Sequence, residues 1–95
     1  MKQTAFQVAG NSMEPLALDG DFVIVREDIE PENDDIVVVA WGPRHLVKQL
    51  KIVDGEPQLH SINKSFGPII IPSMRIIGVA TLVLRTCSSM LYNPN

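Results

Sequence analysis

Short runs of β-branched residues, each stopped by glycine, proline, asparagine or serine, recur along this chain and constrain its fold more than any other feature. Residues 22–25 (Phe-Val-Ile-Val) follow the Asp19-Gly20-Asp21 turn, and residues 36–41 follow the acidic, proline-containing loop 27–35. Residues 45–53 come after Gly42-Pro43, and runs at 58–62, 69–71 and 75–84 complete the series. Runs of this kind at short spacing predict an all-β (mainly β) fold of short, largely antiparallel strands. Residues 1–8 can add a first strand. Asp54-Gly55 signals a hairpin, with a loop expected to extend through Glu56-Pro57. The only helical candidate is a turn or so at residues 13–18, and the tail 86–95 is expected to be irregular.

Ninety-five residues make one domain, with a core over about residues 6–85, large enough for a single modest core and too small for two. Aromatic residues are only 5% of the chain, so Val, Ile and Leu must fill that core. The net charge of −3 argues against a domain that grips phosphate backbones, because such domains show a basic surplus. The single cysteine, Cys87, excludes an internal disulfide and fits a reducing cytoplasm. The opening Met1-Lys2-Gln3-Thr4-Ala5-Phe6 has no apolar segment of signal-peptide type. The longest apolar stretch, 76–84, falls far short of the roughly 20 residues a membrane helix needs. The expected protein is cytoplasmic, without membrane, direct nucleic-acid, metal or cofactor contacts.

Two residues carry the chemistry. Ser12 sits in Gly10-Asn11-Ser12-Met13-Glu14-Pro15, after the possible first strand and in a glycine-containing bend. Such a bend can lift a side chain and aim backbone amides at one point, as an oxyanion hole requires. A plainer role is open to the same serine, as the N-cap of the turn at 13–18. Lys48 lies in Leu46-Val47-Lys48-Gln49-Leu50. Alternate strand residues share a face, so Leu46, Lys48, Leu50 and Ile52 point one way, and His45, Val47, Gln49, Lys51 and Val53 the other. A lysine on a core-facing row loses hydration, which disfavours the ammonium and prepares the amine to act as a base. The plainer alternative is a stem that packs while the head reaches water. If serine and base work together, Oγ and Nζ should lie roughly 2.6–3.5 Å apart.

Other candidates have weaker patterns. His45 and His60 lie on separate strands, without a carboxylate in a suggestive position. Asp19 and Asp21 flank Gly20, which is turn chemistry with glycine supplying a positive φ. The acidic loop reads as a solvated loop without EF-hand spacing. Cys87 reads as an ordinary thiol.

In order along the chain, Gly10-Asn11-Ser12-Met13-Glu14-Pro15, Asp19-Gly20-Asp21, Asp35-Ile36-Val37-Val38-Val39 and Val47-Lys48-Gln49-Leu50 resemble the catalytic domain of the LexA/UmuD-like self-cleaving serine peptidases. Leu59-His60-Ser61-Ile62-Asn63, Phe66-Gly67-Pro68-Ile69 and Ile76-Ile77-Gly78-Val79 look like that family's closing strands, so the resemblance runs from about residue 6 to 84. It implies a LexA-like, signal-peptidase-like β fold with Ser12 as nucleophile and Lys48 as neutral base. The oxyanion hole would use the Ser12 amide and a neighbouring group, with Asn11 and Met13 adjacent. It also implies autocatalytic cleavage of the linker in the parent polypeptide, a transcription regulator of SOS or phage-repressor type, triggered by a RecA–single-stranded DNA filament. UmuD-like members instead serve a translesion polymerase. No DNA-binding domain is expected in this chain. Ala9-Gly10 has the letters of a scissile bond but abuts the nucleophile and is rejected. Type I signal peptidases share the Ser-Met-x-Pro segment but continue differently after the lysine. A non-enzymatic dimerising module that keeps the pair is a further alternative.

The run at 75–85 is apolar at nearly every position, which asks for cover on both faces. A homodimer through residues 76–84 and the start of the tail would supply it, as in the family, and a charge at Val83 is expected to break it.

Overall fold

The computed structural model describes residues 3–70 and 74–85. Among these residues six strands form one antiparallel sheet: β1 (Gln3–Gln7), β2 (Phe22–Arg26), β3 (Ile36–Trp41), β4 (Arg44–Val53), β5 (Glu56–His60) and β6 (Arg75–Leu84). Their spatial order is β1-β2-β6-β3-β4-β5, so the last strand lies inside the sheet, between β2 and β3. The all-β expectation holds. No helix forms at residues 13–18. The segment is a turn closed by one bond of α-type span, from the Ala17 amide to the Met13 carbonyl, at 3.0 Å.

The β4–β5 connection is tighter than the sequence led us to expect. β5 begins at Glu56 and Val53 pairs with Glu56, leaving only Asp54 and Gly55 in the turn. Both have positive φ, 52° and 81°, as a type I′ turn requires. Pro57 is tolerated in this strand because β5 is an edge. At its other end β5 stops at His60, so Ser61 and Ile62 leave the sheet. The predicted run at 69–71 is reduced, among the described residues, to a bridge in which Leu59 and Ile69 exchange two backbone bonds.

The single core expected from chain length is instead two clusters, because alternation sends β3 residues to both faces. Val38 joins Val8, Met13, Ala17, Val23 and Val25, whereas Val37 and Val39 join Leu50, Leu59 and Val79. One sheet with cover on both faces lets three consecutive valines be fully buried.

This arrangement also corrects the reading of β6. Ile77, Ala80 and Val83 pack on the first cluster, and Ile76 and Val79 belong to the second. Most of the strand is therefore covered within its own chain. Val83 pairs with the buried Val23 and faces inward, while Leu82 and Leu84 are 53% and 46% exposed. The expected interface residues of the tail, and Cys87, lie outside the described residues.

Candidate active site

The loop between β1 and β2 carries Ser12, and three sets of bonds hold it. The Asp19 carboxylate accepts the Gly10 amide at 2.7 Å. Asp21, itself buried, accepts the Leu18 amide at 2.7 Å and both Nε and Nη2 of Arg85, each at 3.0 Å to its nearer oxygen. The arginine bonds hold the Asp21 carboxyl below the usual carboxylate range and tie the end of β6 to this loop. Gly20 supplies the positive φ, 88°. From the other side, the Asn63 amide donates to the Ser12 carbonyl at 2.9 Å, and Asn63 Nδ2 donates to the Asn11 carbonyl at 3.1 Å.

Lys48 comes from the middle of β4. It is paired with Val37 and lies between Leu46 and Leu50 on one face, the row the sequence pattern indicated. Ile52, at the far end of that row, is 48% exposed. Lys48 itself is only 7% exposed, so snorkelling does not describe it. Its Nζ donates to Ser12 Oγ at 3.1 Å, inside the expected range, and to Ser61 Oγ at 3.0 Å. The Phe66 ring centroid lies 6.0 Å from Nζ. No carboxylate pairs with Lys48 among the described residues. Burial therefore acts unopposed and holds its pKa below the ordinary lysine value.

Ser61 is the residue that sequence reasoning missed. It lies one step past β5, beside Lys48 in the continued β4–β5 register, and is 4% exposed. Its only signal was membership of the family-like Leu59-His60-Ser61-Ile62-Asn63 segment. Asn63, from the same segment, was equally unassigned.

Asn11 and Met13 flank Ser12 in the chain, and the remaining candidates are engaged elsewhere. Asn11 is exposed, with its carbonyl accepting the Glu14 amide as well as Asn63. The Met13 side chain is fully buried in the first cluster. His60 bonds Gln58 at 2.9 Å, while His45 stacks at 5.1 Å, tilted, on Phe6. Lys51 pairs with Asp34, and Asp28 pairs with Arg26 at 2.6 Å. Among the described residues, no group of three His, Cys, Asp or Glu side chains could hold a metal.

A cleft of about 110 Å³ opens beside the pair, lined by Gln7, Val8 and Ala9 and by residues 44–48. Ser12 and Met13 also line it. A serine hydroxyl and an amine whose pKa burial lowers, set beside a cleft, are groups that can together perform acyl transfer.

A family model described as Peptidase S24-like matches residues 2–81. The chain belongs to this family. Similar proteins include the LexA repressor of Magnetococcus marinus, 37% identical over 78% of this chain and 34% of its own length. The LexA repressors of Leifsonia xyli subsp. xyli and Streptomyces coelicolor are each 38% identical over 83% of this chain, and 36% and 34% of their own lengths are covered. The S24-like chain thus spans about a third of the length of the curated relatives it matches. The Ser-Met-x-Pro segment left a choice between LexA-like and signal-peptidase-like chemistry, and the match falls on the LexA side.

Proposed function

We propose that this S24-like domain is a serine endopeptidase with Ser12 as nucleophile and Lys48 as general base. The observation that carries the reading is the buried amine of Lys48, lacking an acidic partner among the described residues, 3.1 Å from the Ser12 hydroxyl. In its neutral form an amine has two N–H groups and one lone pair. One N–H donates to Ser61 Oγ, which fixes the amine's rotation and turns the lone pair to the Ser12 O–H. Ser61 is thus a positioning residue. Lys48 takes the proton as Oγ attacks the scissile carbonyl, and the resulting ammonium returns it to the leaving amine. The Ser12 amide and a neighbouring group from Asn11 or Met13 would receive the oxyanion, while water releases the acyl group in a second step.

A fluorophosphonate tests this reading, because it forms a stable adduct only with an activated serine. Labelling should map to Ser12 and accelerate with rising pH. Lys48 is protonated and inactive below its pKa, so the rate climbs through that value and levels above it, below the ordinary lysine value of about 10.4. No adduct at Ser12 at any pH would reduce the chain to a non-enzymatic module that keeps the pair.

The substrate in this reading is the domain's own parent polypeptide, a LexA-like transcription regulator of the cytoplasm, with the RecA–single-stranded DNA filament as inducer. The domain itself makes no nucleic-acid contact. A UmuD-like accessory role in translesion synthesis is the alternative. The proposal includes a homodimer through the outer face at the end of β6. There Leu82 pairs with Ile24 and Leu84 with Phe22, which places four apolar side chains on one outward patch. Val83, turned inward, is the wrong probe. In sedimentation at micromolar concentration Leu82→Glu should yield monomers and the unmodified chain dimers; identical profiles would remove the interface.

A further inference from the structure

We infer that Arg44 makes the cleft select peptides with an acidic side chain about four residues from the bond to be cut. The inference rests on the peptidase reading and names the class of substrate it takes. Arg44, Leu46 and Lys48 occupy alternate positions of β4 and so share one face. Exposure falls along that row: Arg44 is exposed, Leu46 half-buried and Lys48 buried. All three line the cleft, and the row therefore runs from solvent to the proposed base.

Four strand residues at about 3.3–3.4 Å each separate Arg44 from Lys48 by roughly 13 Å. An extended peptide advances by the same rise. With its scissile carbonyl at Ser12, it meets Arg44 about four residues away. Among the described residues no Asp or Glu lines the cleft, and in the peptidase reading Lys48 acts as a neutral amine. His45 also lines the cleft and packs its ring against Phe6, and Arg44 carries a guanidinium that stays charged in proteins. Arg26, Lys51 and Arg85 are each matched to an aspartate, whereas Arg44 has no acidic partner among the described residues. An unspent guanidinium at the mouth of a cleft without carboxylates favours a carboxylate in the ligand.

The test uses fluorescent peptides of one sequence centred on Ala-Gly, with Glu, Gln or Lys four residues before the bond or, in a second set, four residues after it. Binding to the whole chain is read by fluorescence anisotropy. In one of the two sets Glu should bind about threefold tighter than Gln and roughly tenfold tighter than Lys, the scale of a solvent-exposed ion pair and its reversal. High salt should erase the difference. Arg44→Gln should also erase it, and Arg44→Glu should invert it in a protein whose circular dichroism is unchanged. Equal affinities in both sets, a preference that survives Arg44→Glu, or no binding at millimolar peptide would each overturn the inference. Fluorophosphonate labelling of Ser12 is scored separately. An unlabelled serine with charge-selective binding sinks the peptidase reading alone, and a labelled serine without selectivity sinks this one alone.

Discussion

Lys48→Ala should lower the rate of fluorophosphonate labelling at Ser12 by about 10²–10⁴-fold, the range general-base assistance supplies. The variant should remain folded. A buried amine is an expensive group, and its removal leaves two hydroxyls, Ser12 and Ser61, that can bond each other or water. Lys51→Ala, three residues on, should label at the parent rate, since Lys51 is on the other face and paired with Asp34. Lys48→Arg sharpens the test. It keeps a positive charge and hydrogen-bond donors, but a guanidinium does not deprotonate in proteins and cannot accept the serine proton. Equal losses from Lys48→Ala and Lys51→Ala, or a reactive Lys48→Arg, would show that positive charge in general, and not a positioned neutral base, activates Ser12.

Gly78→Ala should be the most destabilising small substitution in the sheet. A Cβ there would lie 2.5 Å from the Arg26 carbonyl oxygen and 2.6 Å from Val25 Cγ1. The oxygen belongs to the backbone of β2 and has no rotamer to escape into. β6 is held on both sides, against β2 and β3, and the register shifts beside it in both, between Ile24 and Val25 and between Val38 and Val39. Relief therefore requires moving paired strands, and the loss should sit at the upper end of the ~1–3 kcal/mol typical of overpacking. For a domain of this size that lowers the melting temperature by more than about 10 °C. Gly67→Ala is the control: nothing lies within 4 Å of its Cβ, and the change should be within about 0.5 kcal/mol. Thermal or urea unfolding of the pair reads the difference, and equal stabilities would mean that β2 and β6 do not approach this closely.

Among the interior elements, β3 and β6 were legible to the residue and β2 and β4 to within one, because β-branched runs and the turns that stop them are local signals. Ser12 and Lys48 could be singled out for the same kind of reason, one from its bend and the other from an apolar row in period two. Their approach to 3.1 Å is not a local property, nor is the third member of the set. Ser61 is an unremarkable serine until the two-residue turn at Asp54-Gly55 fixes the β4–β5 register and sets it beside Lys48. A loop running through Glu56-Pro57, as the sequence led us to expect, would have paired Val53 with Gln58 and set Ser61 opposite Leu50, two positions along the row from Lys48.

Strand order was equally invisible. The sequence determined that the run from 75 to 84 is apolar on both sides, and hence that both sides need cover. Only the tertiary structure decided what covers it, by inserting β6 between β2 and β3 and leaving Leu82 and Leu84 outside. Periodicity reports which residues must leave water, because burial is set by side-chain chemistry along the strand. It cannot report which distant strand receives them, because pairing partners are selected by long-range closure of the whole sheet.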